Sequence, residues 1–325
     1  MNNSVWWNIC RKDLRDIIRS RLLMSLLAGL AFIVLASTLI SSVAFHSQLV
    51  DFQKYVAALR LSHSTATPTA PELYPLQLLI GGVEYLEIIG ALLAVIIGYG
   101  LIAKEKTRGT LQLLLSRPLS SRDLAFGKLA ALTLLWCGFC LFTGIGILVI
   151  LLVIGGTHLT GTDILRVSET LALLVIYLMF WSSLALGLAS ATKQLSTALI
   201  IGLTLWLVVV LILPQIGDTM DPDNQIPGGL FNSLQVTRPQ QHAIMAHFMS
   251  YELGRNYVEA ASVEKHFERA TFGFTGIKPI YNQKTTPYVL MRLWPNITAV
   301  VLWALAGIIW AVILCSKKRL LKKEQ

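Results

Sequence analysis

Apolar residues gather along this chain into six runs, at about 22–45, 84–103, 129–154, 170–191, 195–213 and 296–315. Roughly twenty apolar residues, each rising ~1.5 Å as a helix, match a ~30 Å hydrocarbon core. Backbone polar groups inside lipid must be satisfied within the spanning element, so each run is expected to be helical. Nothing in the pattern points to a sheet or to a repeat of fixed period. The chain is therefore predicted to be all-α, a polytopic membrane helix bundle of about six transmembrane helices with both ends on one side.

The segments between the runs complete the layout. Residues 4–21 place Trp6, Cys10, Leu14, Ile17 and Ile18 on one helical stripe and Arg11, Arg15, Asp16 and Arg19 elsewhere, the pattern of an amphipathic helix lying on the membrane surface. The run that follows has no small-residue cleavage site and is read as a retained helix. Residues 46–83 and 214–295 face the opposite side, and Gln240–Ala270 carries helical periodicity. The predicted division is residues 1–213 for the surface helix and spans one to five, 214–295 for a helical extracytoplasmic subdomain, and 296–325 for span six with a basic tail.

Composition agrees: 54% of residues are hydrophobic, 14% are charged, and mean hydropathy is +0.64, against a charged content of roughly 25% in soluble domains. The net charge of +9 is unevenly spread. Arg11, Lys12, Arg15, Arg19, Arg21, Lys104, Lys106, Arg108, Arg117, Arg122, Lys128, Lys193 and the Lys317–Lys323 tail all fall on the side of the termini. That bias predicts a multi-pass protein of the plasma membrane, most simply a bacterial inner membrane, with both termini cytosolic. It also implies attraction to anionic membrane lipid and needs no nucleic-acid partner. Cys10, Cys137, Cys140 and Cys315 all avoid the outward loops, so no disulfide framework is expected.

Residues 104–123 hold the most specific pattern. Leu111, Leu114 and Leu115 can share a helical face, Pro118 ends that helix, and Ser120 with Asp123 forms a capping box for the next. The pattern Glu105, Gly109-Thr110, Leu113 to Leu115, Pro118, a serine/arginine pair with Arg122, and Gly127-Lys128 resembles the first cytosolic loop of type-2 ABC-transporter permeases. Within them it is most similar to the branch containing the permease of nitrous oxide reductase copper-centre maturation. The resemblance implies the membrane-spanning permease subunit of an ATP-driven transporter, an exporter, paired as a homodimer or as a heterodimer with a related permease. It also implies docking of ABC ATP-binding subunits on this loop, with Glu105, Gly109, Thr110, Pro118 and Arg122 as coupling residues. Glu105 is expected on an exposed loop, facing a basic group of the partner.

The chain is not expected to be an enzyme. Gly127-Lys128 lacks the upstream glycine and following Ser/Thr of a phosphate-cradling loop, so ATP and Mg would belong to the partner subunit and no cofactor to this one. A non-transporting scaffold that passes mechanical force outward is an alternative. An ion-coupled carrier is another, but the five spans up to residue 213 contain no mid-membrane Asp, Lys, Arg or His. Glu84 and Glu87 are read as solvated interfacial groups. Trp136-Cys137-Gly138-Phe139-Cys140 matches a redox pentapeptide in letters only, because its apolar surroundings would raise a thiol pKa. His242, Met245 and Met249 fall at i, i+3 and i+7, where they could present soft ligands to reduced copper, although Met as packing filler explains the same spacing.

Overall fold

The structure, a computed structural model, describes residues 5–61, 74–111, 116, 120, 122–221, 230–247, 249–281 and 284–315. Among them there are helices and turns and no strand. Six helices are long and apolar enough to cross a membrane. The surface helix α1 (Val5–Ile18) precedes the spans α2 (Arg21–Leu61), α3 (Pro75–Thr107), α4 (Asp123–Val153), α5 (Gly161–Ala191) and α6 (Leu195–Thr219). Three shorter helices, α7 (Arg238–His247), α8 (Met249–Ala260) and α9 (Val263–Phe274), lead to the last span, α10 (Thr286–Leu314). The end of the bundle carrying α1 is called here the terminal face, and the end carrying α7 and α8 the loop face.

α5 is the axis of the bundle, and small residues set how closely its neighbours approach. A Cβ at Gly98 of α3 would overlap the backbone of Ser182, and one at Gly307 of α10 would lie 2.7 Å from Ser183 Oγ. Without a hydrophobic driving force between helices in lipid, such close backbone approach lets dispersion and polar contacts hold them together. Trp136 Nε1 of α4 donates to Ser182 Oγ at 2.8 Å, tying a third helix to the same point.

The spans run further than their apolar cores predict. α2 is one helix of 41 residues, about 60 Å at 1.5 Å per residue, so it projects well beyond a bilayer. α3 begins at Pro75 as a 3-10 turn and contains a π segment at Leu86–Gly90, and α6 contains another at Leu207–Ile212, just before Pro214. Proline has no N–H to continue the ladder, and a widened turn accommodates the gap. α6 thus reaches Thr219 and α10 begins at Thr286, which takes the ends of the predicted 214–295 segment into the spans.

The remainder of that segment is also less separate than expected. α8 descends beside the loop-face end of α6, where a Cβ on Gly217 would meet Glu259, and α9 returns inside the bundle. Phe267 of α9 stacks on Tyr177 at the middle of α5, with ring centroids 4.5 Å apart. Ser262 Oγ, at the turn between the two helices, donates to Val209 O at 2.7 Å. Val209 lies about ten residues before the end of α6, about 15 Å along the helix. α8 and α9 are therefore a re-entrant hairpin and not an outlying subdomain.

This packing changes where charged side chains sit. Glu87 is 4% exposed, not solvated, while Glu84 is exposed. Arg166, just before the apolar run at 170–191, is buried on α5, where its guanidinium donates to Lys284 O at 2.6 Å and to the Tyr74 hydroxyl at 3.3 Å. It joins the loop-face ends of three spans. The first five apolar runs contain no Asp, Lys, Arg or His, but Glu87 is buried in one of them and α9 brings Glu264, Lys265 and Glu268 in among them.

Candidate functional site

Four charged side chains meet where α1 crosses the terminal face, on helices brought together by one glycine. A Cβ on Gly127 of α4 would lie 2.7 Å from both Ile9 Cβ and Trp6 O of α1. Only its absence lets the surface helix lie flat on α4. The buried stripe of α1 is then Ile9, Cys10, Asp13 and Ile17. Trp6 and Ile18, expected in that stripe, are exposed, and an acid takes the centre of it.

Asp13 is there because Lys128 is beneath it. Lys128 Nζ, fully buried one turn into α4, lies 3.0 Å from Asp13 Oδ2 and 2.9 Å from Glu105 Oε2, and donates to Leu101 O at 3.0 Å. The contact to Glu105 Oε2 is an ion pair and not an aligned hydrogen bond. Lys12 Nζ closes the figure, 3.0 Å from Asp13 Oδ1 and in contact with Glu105 Oε1. Two ammonium and two carboxylate groups alternate in a ring, each bridging both neighbours. The ring is neutral, which a low-dielectric setting demands: an ion left there without a partner costs several kcal/mol, or about 3–5 when a buried pair is broken. Around Lys12, on the surface helix, burial works against the charged form, but Asp13 and Glu105 outweigh it and the pKa lies above the ordinary lysine value.

The ring ties α1 to the end of α3 and the start of α4, the two helices that flank the 104–123 segment. Glu105 is thus 6% exposed inside the chain and does not stand on an open loop. Its neighbour Lys106 donates to Ala189 O and Thr192 O, both at 2.8 Å, placing a cation on the last carbonyls of α5. Cys315, at the end of α10, is buried within electrostatic reach of Lys128. The ends of α3, α5 and α10 and the start of α4 therefore meet at this corner beneath α1.

Of the other predicted coupling residues, Gly109 has φ +66° and ends α3, with open space where a Cβ would stand. Its glycine is explained by helix termination, since an L side chain disfavours that conformation. The Thr110 hydroxyl donates to Glu105 O at 3.4 Å. Arg122 is exposed just before α4. The predicted capping box is present: Ser120 N donates to Asp123 Oδ2 at 2.9 Å and Asp123 N to Ser120 Oγ at 3.2 Å. Pro118 and Leu113 to Leu115 lie outside the described residues.

The soft-metal candidates are divided between helices, His242 and Met245 on α7 and Met249 opening α8, and the side chain of His242 lies outside the described residues. Among the described residues no group of three or more His, Cys, Asp or Glu could hold a metal ion. Cys137 and Cys140 sit within α4, and Cys140 is buried. Asp13, Lys12 and Lys128 were absent from the sequence-derived candidates. Asp13 had one local signal, an acid at i+4 from Ile9 and i−4 from Ile17 on an otherwise apolar stripe.

A search of curated proteins gave no match. The family model described as ABC-2 family transporter protein matches residues 7–320, spanning the surface helix, all six membrane helices and the re-entrant hairpin, and the chain belongs to that family.

Proposed function

We propose that this protein is the membrane subunit of an ATP-driven exporter, working as a dimer with separate ATP-binding subunits that dock on the 104–123 segment. Membership of the ABC-2 family supplies the transporter class. The ion-pair ring supports the coupling route, because Glu105, α1 and Lys128 share one network at the base of that segment. A push on the segment reaches α1, α3 and α4 as one body, since moving any of them alone would strand a buried charge. Gly109, Thr110, Pro118 and Arg122 belong to the docking surface in this reading, and Glu105 acts behind it as a positioning residue. In this reading the chain is a relative of the nitrous oxide reductase maturation branch, on the resemblance of its Glu105 to Lys128 pattern. The terminal face is cytosolic and the membrane a bacterial inner membrane.

Co-purification with a cognate ATP-binding subunit tests the reading. Arg122→Glu and Thr110→Trp are expected to insert normally yet lose the partner, and the isolated chain to hydrolyse no ATP. Retention of the partner by both variants, with unchanged hydrolysis, would falsify the docking assignment. Membrane-impermeant thiol reagents should reach a cysteine at exposed Ser120 and one at exposed Tyr257 from opposite sides. Labelling of both from one side would overturn the topology.

A further inference from the structure

The loop-face half of the bundle holds a second set of buried ionisable groups that has no part in coupling. Glu87, on the π segment of α3, and Glu264, in the first turn of α9, are 4% and 3% exposed. They are within electrostatic reach of each other, at the depth where the hairpin turn meets Val209 and Tyr177. Lys265, a cation within electrostatic reach of both, is itself shared with other acids, 2.6 Å from Glu268 Oε2 and 3.2 Å from Asp218 Oδ1.

The hydroxyl groups at hand are spent as well. Tyr177 gives its only hydroxyl hydrogen to Glu87 O of the backbone at 3.0 Å. Ser262 gives its hydrogen to Val209 O at 2.7 Å, leaving Glu264 Oε2 a weaker 3.3 Å approach. Glu87 Oε2 has no hydrogen-bond partner among the described residues. An ionised carboxylate only accepts, so two of them here would have the long Ser262 contact as their one donor among the described hydrogen bonds, in a medium that penalises an unpaired charge. A proton supplies both the missing donor and the missing charge.

We propose that Glu87 and Glu264 form a proton-binding pair at the tip of the re-entrant hairpin, holding one proton between them while the hairpin is seated. The proton exchanges with loop-face water past Asp218 near the end of α6 and Glu268 of α9, whose side chains are 49% and 18% exposed. It leaves by the same way, and no other bond is made or broken. The charged groups around the pair are Glu84 of α3, Lys265 and Glu268 of α9 and Asp218 of α6, with the Tyr177 hydroxyl of α5. His266 of α9 faces away to Asn296 of α10, 3.0 Å from its Oδ1. Loss of the proton sets two like charges across the α3–α9 contact and drives the hairpin from its seat, so the pair is a latch worked by the loop-face pH. It stands independently of the ATP-coupling proposal.

Infrared difference spectroscopy of the full chain in lipid nanodiscs tests this. At neutral pH the parent should show the C=O stretch of a protonated carboxyl that is lost only on titration to alkaline pH. Glu87→Gln/Glu264→Gln should remove that band and Glu84→Gln should keep it. Each single variant should move the midpoint of the band's loss to lower pH, because the surviving acid no longer faces a like charge. A parent without the band, a double variant that retains it, or single variants with an unmoved midpoint would each overturn the proposal. The single, isosteric variants decide the matter should the double variant fail to insert.

Discussion

Lys128 Nζ lies 3.0 Å from Asp13 Oδ2, a contact between residues 115 apart in the chain, with the lysine fully buried and the acid 2% exposed. It pins the surface helix α1 to the bundle through a buried charge. Each is also held by a second partner, Asp13 by the half-exposed Lys12 and Lys128 by the buried Glu105, so the three buried members carry most of the stability of this corner.

Asp13→Asn should detach α1, because it leaves Lys128 with a single carboxylate in a buried site. A loss on the order of 3–5 kcal/mol at this contact is expected. Lys12→Met should cost only about 0–1 kcal/mol, since the Lys12 side chain is 40% exposed. Limited proteolysis after Arg11 and Arg15, with thermal unfolding in detergent, separates the two. Equal effects would show that burial does not govern the ring.

Glu105→Lys should fail earlier than a docking variant does. It would place three cations around one carboxylate at a 6% exposed position, and the expected outcome is poor accumulation in the membrane. Glu105→Gln, which keeps the shape, should insert. Normal insertion of Glu105→Lys would return the residue to an open surface and contradict the ring.

Two glycines of α4 make a matched pair. Gly127→Val meets Ile9 and the Trp6 carbonyl, whereas a Cβ at Gly138 has nothing within 4 Å. Overpacking at the first should cost about 1–3 kcal/mol and loosen α1. The same change at the second should have no effect on α1 proteolysis. Similar behaviour of both would mean that α1 does not rest on α4 at Gly127.

At Gly109 the backbone decides the result. With φ +66°, Gly109→Ala should destabilise the end of α3 by about 1 kcal/mol, while asparagine, which tolerates the left-handed region, should cost less. Hydrogen exchange of the Arg108 and Gly109 amides measures the difference. Equal protection in the two variants would show that the positive φ is not what selects glycine.

The ring should be insensitive to pH across the neutral range. The Lys12 pKa is raised in the folded state, so its contribution is complete below the ordinary lysine value of 10.5 and is lost as pH climbs through the higher folded value. Proteolysis of α1 should be the same at about pH 7 and about pH 9 and increase only in stronger alkali. An increase between the first two would identify another titrating group.

Six spans, a surface helix and the Ser120–Asp123 box were legible in the amino-acid order because each depends on neighbours within a few turns. Hydrophobic length sets a span, helical period sets an amphipathic face, and a cap is made by residues three apart. The charged sites were not legible. Asp13, Glu105 and Lys128 each look like ordinary charges near a membrane edge, and Glu87 like an interfacial one. What makes them a ring and a proton-binding pair is that Gly127 admits α1, that α3 and α4 converge, and that α9 turns back into the bundle. Burial and pairing depend on which distant helices meet, and composition along one helix does not carry that information. The sequence by itself determined which six segments are long and apolar enough to span the membrane, because transfer from water to lipid is a property of each segment. The tertiary structure alone decided which charges follow them inside, because a buried ion is tolerated only where another part of the chain brings its partner.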